Sequence, residues 1–173
     1  MTSYMYLALT ICCMFLVVNA SFYNLGNIVV PHRRQQQTNT FVTFSAGLTK
    51  MVNLTTNTSV AFDRVWINLG NGYNNNTGIF TCPHAGVYVF IYHGLSQYTG
   101  QMWLDLYKNG AYEVTAYAHN TVDYASASNA ILLSLKLGDQ VYIRGHGSSH
   151  MYGHPEEVYA TFSGFILIPD QGQ

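Results

Sequence analysis

The chain has 173 residues, with seven lysine or arginine and eight aspartate or glutamate residues, so its formal net charge is −1. A charge this low and this balanced argues against a nucleic-acid partner, which would need a basic stripe. Beyond residues 1–20, the remaining length suits one domain. No apolar run in that part reaches the ~20 residues that a membrane span takes, so no span is expected.

The N-terminal segment 1–20 is predicted to be a cleaved signal peptide. The run from Met5 to Val18 carries no charge and has the length of a signal-peptide hydrophobic region. It is short for a bilayer span, which weighs against the alternative of an uncleaved anchor. The mature protein is therefore expected to be secreted and extracellular.

Residues 21–40 are predicted to be a linker, because PHRRQQQTNT is polar and shows no apolar period. A collagen stalk would need glycine at every third position, and only Gly26 lies in this segment. The domain itself is expected at residues 41–169, followed by a C-terminal tail at 170–173.

The cysteine and the glycosylation sequons fit secretion without a disulfide framework. Cys82 is the only cysteine beyond the leader, so an internal disulfide is not expected in the mature chain. A buried free thiol is predicted, with an intermolecular bridge as the alternative. Asn53, Asn57 and Asn75 each begin an Asn-X-Ser/Thr sequon, which predicts glycan acceptors on surface loops.

From residue 41 onward, short strand-like segments alternate with turn residues. FVTFSAGL, VWINLG, GIFTC and GVYVFIYHGL come first, with the asparagine-rich loop NGYNNNTG among them. QMWLDLYKNG and AYEVTAYAH are predicted to form a hairpin, since both residues of Asn109-Gly110 accept positive φ. ILLSLKL, QVYIRG and EVYATFSGFILI complete about ten strands. No segment shows a sustained helical period, so the fold class is an all-β sandwich or jelly roll.

The segment GVYVFIYHGL is apolar on both faces. Its even-numbered positions are aromatic from Tyr88 to Tyr92, and its odd-numbered positions are aliphatic from Val87 to Ile91. A strand that is apolar on both faces is covered on two sides. One face is assigned to the sandwich core, and the other to a second layer or a neighbouring subunit.

The run from Phe62 to Phe90 resembles the signature of the globular head domain of complement C1q. It contains a phenylalanine, an asparagine-rich loop with glycine and tyrosine, T-G-x-F, and then P-x-x-G-x-Y-x-F. The turn Leu137-Gly138-Asp139 and the closing T-F-x-G-x-x-L at 161–167 resemble two further motifs of that family. The similarity covers about residues 41–169. It implies a ten-stranded jelly roll, shared with tumour necrosis factor-like cytokines, that assembles as a homotrimer.

The resemblance also implies a function. Members without a stalk, as in molluscs, are secreted lectin-like pattern-recognition proteins of innate immunity that bind carbohydrate or microbial surface ligands. Heads of this family often hold calcium near the trimer apex with aspartate and carbonyl oxygens, so calcium is a predicted cofactor, without an assignment to an individual aspartate. The positions that the resemblance implies for the structural core are Phe62, Phe80, Gly86, Tyr88, Phe90, Phe162 and Gly164.

No catalytic constellation is found in the sequence. It has neither a Gly-X-Ser-X-Gly elbow nor a His-Glu-X-X-His motif. Glu156-Glu157 is the only acidic pair, and neighbours on a strand point to opposite faces. The protein is therefore predicted not to be an enzyme.

The stretch RGHGSSHMYGHPEE places His146, His150 and His154 at every fourth position. Its glycines and proline disfavour a helix, but a flexible loop could fold three imidazoles around zinc or another divalent cation. The alternative is a solvated polar loop. The metal hypothesis gives a second candidate function, an extracellular divalent-metal carrier.

Aromatic side chains offer the chemistry of sugar binding. The chain has 14 tyrosines and 2 tryptophans, and aromatic faces stack on sugar rings while phenols form hydrogen bonds with hydroxyls. The predicted recognition loops are residues 117–128 and 146–157, with Tyr117, Tyr124 and Tyr152 as candidate contacts. Arg144 is the candidate cation for an anionic target. A third alternative is a cytokine-like trimer that acts through a protein receptor.

Overall fold

The computed structural model describes residues 22–25, 28–31, 41–98, 100–147 and 149–171. Within those residues all the regular elements are β-strands, and no helix there is long and apolar enough to cross a membrane. The chain divides into two units, residues 1–39 and residues 40–173. The predicted signal peptide lies outside the described residues.

The first unit contains a β-hairpin inside the predicted linker. Strand β1 (Phe22–Leu25) pairs antiparallel with β2 (Ile28–Pro31). The linker prediction rested on the polar residues after Pro31, whereas FYNL and IVVP are rich in residues that favour strands. The polar composition predicts a linker over the whole segment, whereas its first part forms a hairpin.

The second unit is a sandwich of two sheets. The five-stranded sheet has the order β11-β8-β14-β3-β5, and the seven-stranded sheet has the order β4-β13-β9-β12-β7-β6 with β10 on the other edge of β9. This confirms the all-β jelly-roll prediction. The strands are β3 (Thr43–Gly47), β4 (Val52–Leu54), β5 (Arg64–Leu69), β6 (Tyr73–Asn74), β7 (Ile79–Thr81), β8 (Gly86–Leu95), β9 (Gly100–Lys108), β10 (Ala111–Asn120), β11 (Ser126–Leu135), β12 (Gln140–Arg144), β13 (Ser149–Met151) and β14 (Thr161–Pro169).

Aromatic rings join the two sheets. The Phe44 ring of the five-stranded sheet stacks on Tyr73, with centroids 4.7 Å apart, and on Phe80 at 5.2 Å, both from the seven-stranded sheet. The edge of Phe162 meets Phe44 at 4.9 Å. A Cβ on Gly164 would come within 2.8 Å of the Phe44 and Phe90 rings, so this close packing requires glycine. All the core positions that the resemblance implied are buried: Phe62, Phe80, Gly86, Tyr88, Phe90, Phe162 and Gly164.

The asparagine-rich loop is built around a buried tyrosine. The Tyr73 side chain lies in the core, where its hydroxyl donates to the Phe62 carbonyl at 3.2 Å and accepts from the Phe62 amide at 3.0 Å. The Asn68 side chain bonds both the amide and the carbonyl of Tyr73. The loop therefore contains the short strand β6, where the sequence had predicted only a turn.

Strand β8 has one buried and one outward face. Tyr88, Phe90 and Tyr92 are fully buried, whereas Ile91 is 47% exposed. Val89 lies two residues from Ile91 on the outward side, and the registers place Leu132 and Phe165 opposite Val89. Ile67 and Leu69 of β5 lie on the same side, beyond β3. We call this surface the apolar face; its members are Ile67, Leu69, Val89, Ile91, Leu132 and Phe165.

Cys82 is a buried free thiol, as predicted. Its sulfur lies 3.0 Å from the His84 carbonyl, and burial raises the pKa of the thiol. The three sequon asparagines, Asn53, Asn57 and Asn75, are all exposed. Asn53 belongs to strand β4 rather than to a loop.

Asp139 connects the two turns at one end of the seven-stranded sheet. Its carboxylate accepts from the Lys136 amide and from the Asn109 side chain, both at 2.9 Å, and lies 3.5 Å from the Lys108 ammonium. The hydrogen bonds from Lys136 and then Asn109 are the main reasons why the pKa of this carboxyl lies below its usual value.

We expect Asp139→Asn to lower the melting temperature at neutral pH and to have little effect in acid. Because the pKa is lower in the folded state, the stabilisation is present above the unfolded value of ~3.9 and is lost as the pH falls through the folded value. Thermal melts of both proteins across this range measure the effect. A difference that stayed constant with pH would contradict the expectation.

Candidate functional site

The two loops that the sequence predicted as recognition surfaces meet at a group of tyrosines. Tyr124 of the β10–β11 loop and Tyr152 of the β13–β14 loop have ring centroids 5.3 Å apart. Tyr98 of the β8–β9 loop packs on Tyr124 at 5.9 Å, and Tyr159 packs on Tyr152 at 5.8 Å. We call these four residues the tyrosine cluster. Sequence reasoning missed Tyr98 and Tyr159, because only the spatial meeting of three loops distinguishes them from other tyrosines.

Hydrogen bonds at the base of the tyrosine cluster fix the three loops to one another. The buried Ser96 hydroxyl accepts from the Ala125 amide at 3.0 Å and from the Asn120 side chain at 2.6 Å. The Tyr152 amide donates to the Leu95 carbonyl at 2.7 Å. The rings above remain open to solvent, since Tyr98 is 58%, Tyr124 46% and Tyr159 41% exposed.

The predicted loops are shorter than the sequence suggested. Tyr117 lies within β10, and residues 126–128 already belong to β11. Ala116 and Ala118 are buried on either side of Tyr117, so the strand alternation continues where a loop was expected. The second loop is interrupted by β13, which is anchored by the buried Ser149 and Met151.

A second group of side chains lies on the outward side of the seven-stranded sheet. We call Trp103, Asp105, Tyr117, Arg144 and His146 the sheet-face cluster. Register brings Tyr117 of β10 opposite Trp103 of β9, and Arg144 of β12 opposite Asp105. The Trp103 ring contacts the Tyr117 ring at a centroid distance of 4.1 Å and the His146 ring at 4.3 Å. The predicted contacts Tyr117 and Arg144 therefore lie on the same sheet face, opposite Trp103 and Asp105 of β9, in a different group from Tyr124 and Tyr152.

Asp105 is the buried centre of the sheet-face cluster, with 1% of its surface exposed. One carboxylate oxygen accepts from the Thr115 hydroxyl at 2.6 Å, and the other lies 2.5 Å from Nδ1 of His146. Because a carboxylate only accepts, His146 donates through Nδ1 and its Nε2 remains available. The alternation of QMWLDLYK placed Trp103 and Asp105 on one face, but nothing local to that segment indicated His146.

Arg144 is held by aromatic rings rather than by a carboxylate. Its guanidinium carbon lies 4.6 Å from the Tyr142 ring centroid and 5.6 Å from the Tyr107 centroid, an arrangement typical of cation–π attraction. Among the described residues, the two ion pairs within 4.0 Å involve Lys108 and His146, not Arg144. Its Nε is shielded from solvent without a hydrogen-bond partner.

Comparison with known proteins gives a consistent assignment. The family described as "C1q domain" matches residues 43–167, which is most of the chain. This chain belongs to the C1q domain family. The zebrafish (Danio rerio) protein Caprin-2 is 41% identical over 113 residues, covering 64% of this chain but 12% of Caprin-2. The chain therefore spans a small part of the length of that relative.

Solved structures with the C1q and tumour necrosis factor fold agree with this assignment. The globular domain of zebrafish complement 1qA superimposes with a TM-score of 0.63 at 23% identity, covering 75% of this chain and 99% of that domain. Eiger TNF from S. frugiperda gives a TM-score of 0.61 at 17% identity, covering 77% of this chain and 98% of its own. C1q and TNF domains form trimers and are typically ligand-binding modules rather than enzymes, and C1q domain proteins are generally extracellular.

The C1q domain does not bring the three predicted histidine ligands together within one chain. His146 pairs with Asp105, Nδ1 of His150 lies 2.9 Å from the Asn53 side-chain oxygen, and His154 stacks on Tyr152. The four-residue spacing failed as a guide because β13 holds His150 in a strand. In the described ranges, no group of three or more His, Cys, Asp or Glu residues is placed to hold a metal ion. The calcium hypothesis named no residue and stays a prediction.

Proposed function

We propose that this protein is a secreted, trimeric recognition protein that binds carbohydrate or microbial surface ligands through the tyrosine cluster. The observation that carries the proposal is the convergence of three loops on four tyrosines, three of them well exposed. Tyrosine rings stack on sugar rings, and their hydroxyls form hydrogen bonds with sugar hydroxyls. Loops on a rigid scaffold commonly carry binding residues.

The apolar face supports the proposed trimer. Ile91 of β8 is 47% and Leu132 of the neighbouring edge strand β11 is 60% exposed in a single chain. An exposed group of large apolar side chains of this kind is typical of a protein–protein contact. Since C1q domains form trimers, neighbouring subunits are the proposed cover of this face, which would also bury the second apolar side of β8.

The exposed sequons support secretion and glycosylation. Asn57 and Asn75 lie on adjacent loops, because the Ser59 hydroxyl donates to the Thr77 carbonyl. Asn53 is exposed on the nearby edge strand β4. Attached glycans would shield this edge of the sandwich from pairing with other strands.

The proposed recognition predicts that Tyr124→Ala and Tyr152→Ala each weaken glycan binding. Loss of one aromatic contact is worth about 0.5–1.5 kcal/mol, or roughly 2- to 12-fold in affinity. A glycan array followed by titration calorimetry measures the effect. Tyr112→Ala is the matched control, because Tyr112 is 56% exposed and lies outside the cluster. The proposal fails if the parent protein binds no glycan, or if the three variants bind alike.

A further inference from the structure

The sheet-face cluster contains a positioned cation without an anionic partner. Tyr107 and Tyr142 hold the Arg144 guanidinium in place through their ring faces. None of the described carboxylates lies within 4.0 Å of it. A guanidinium held in this way has little conformational freedom left to lose when it binds an anion.

Asp105 is the carboxylate that the sheet register places opposite Arg144, and it is already occupied. Its two oxygens are bonded to the Thr115 hydroxyl and to Nδ1 of His146. It therefore does not pair with Arg144, and it fixes His146 with Nε2 available as a second polar group. The site thus combines a guanidinium without a carboxylate partner with an imidazole nitrogen that is free to form a hydrogen bond.

Exposed ring surface lies on the same face of the seven-stranded sheet, two residues along β9 from the position opposite Arg144. Tyr117 is 46% exposed, and the His146 side chain is 42% exposed. The two rings flank Trp103, which contacts both of them. An aromatic surface beside a guanidinium suits a ligand with an apolar ring face and an anionic substituent.

We propose that the sheet-face cluster is a second ligand site, which binds the carboxylate or sulfate of an acidic sugar through Arg144. The sugar ring packs against Tyr117 and His146, and Nε2 of His146 forms a hydrogen bond with a sugar hydroxyl. The inference rests on the proposed carbohydrate recognition for its ligand class. It uses different residues from the tyrosine cluster, so the two can be tested separately.

Trp103 provides a direct readout of this site. The chain has two tryptophans, so Trp66→Phe leaves Trp103 as the only one. In this background, tryptophan emission is followed while glucuronic acid, glucose 6-sulfate or glucose is added. Glucuronic acid and glucose 6-sulfate distinguish carboxylate from sulfate as the recognised group, and glucose tests the need for an anion.

Arg144→Gln is expected to weaken binding of the preferred acid by about 10- to 150-fold, the equivalent of one hydrogen bond to a charged group. Arg64→Gln is the matched control, since it removes an exposed arginine from strand β5 of the other sheet. Arg144→Lys should give an intermediate loss, because it keeps the charge but not the planar fork. A thermal melt of each variant checks that it is folded.

The inference is overturned if neither acid changes the Trp103 emission, or if Arg144→Gln and Arg64→Gln lose the same affinity. Its failure is distinguishable from that of the proposed function. Binding of neutral glycans that depends on Tyr124, without any effect of acids at Trp103, would remove the second site and keep the first. Binding of glucuronic acid or glucose 6-sulfate that depends on Arg144, with no effect of Tyr124→Ala on any glycan, would keep the second site and remove the first.

Discussion

Ile91→Glu is expected to convert the proposed trimer into a monomer. Ile91 lies within the apolar face, where the proposed assembly buries one such residue from each subunit. An unpaired carboxylate in an apolar contact costs several kcal/mol, and the cost arises once per subunit. Size-exclusion chromatography with light scattering gives the mass directly, at a series of protein concentrations.

Leu137→Glu is the matched control for this experiment. It makes the same kind of apolar-to-acidic change at a residue that is 73% exposed in the turn before β12, away from the apolar face. This variant should keep the mass of the parent protein. Monomers from both variants would indicate a general charge effect, and a trimer of Ile91→Glu would exclude the apolar face as the contact.

Phe44→Ala is expected to give the largest loss of stability, about 3–5 kcal/mol. The Phe44 ring is 1% exposed and contacts Tyr73, Phe80 and Phe162, so its removal leaves a cavity between the two sheets. Such a loss is a large fraction of the ~5–15 kcal/mol that stabilises a typical domain. Denaturant unfolding at one fixed protein concentration measures it, because assembly contributes to the apparent stability.

Phe41→Ala makes the same substitution three residues earlier, where the side chain is 68% exposed. Its effect should stay within about 0.5 kcal/mol. Equal losses from the two variants would show that the aromatic contacts of Phe44 do not hold the sheets together.

The fold could be predicted because its main signals are local. Alternation along GVYVFIYHGL separated the buried Tyr88 from the exposed Ile91. The hairpin between β9 and β10 followed from Asn109-Gly110, and the two residues have φ values of 50° and 87°. Patterns of this kind depend on a few neighbouring residues, and in these strands the tertiary packing favours the same structure as the local sequence.

The candidate sites could not be predicted in the same way, because they depend on contacts between distant segments. His146 meets Asp105 across 41 positions of sequence, and Tyr124 meets Tyr152 only because three loops end on the same side of the sandwich. A spacing of four residues grouped His146 with His150, but a strand and a loop direct them to different partners. Such contacts depend on which distant strands and loops the fold brings together, and a local pattern does not specify this.

The buried thiol makes the fold independent of its redox surroundings. Cys82 is the single cysteine after residue 20, and within the described residues it is free and 1% exposed. Many small extracellular domains need oxidation to stay folded, whereas this domain is held by its aromatic core. Burial also raises the thiol pKa, which keeps the sulfur in its less reactive protonated form. The described part of the domain therefore needs no change in covalent structure between reducing and oxidising surroundings.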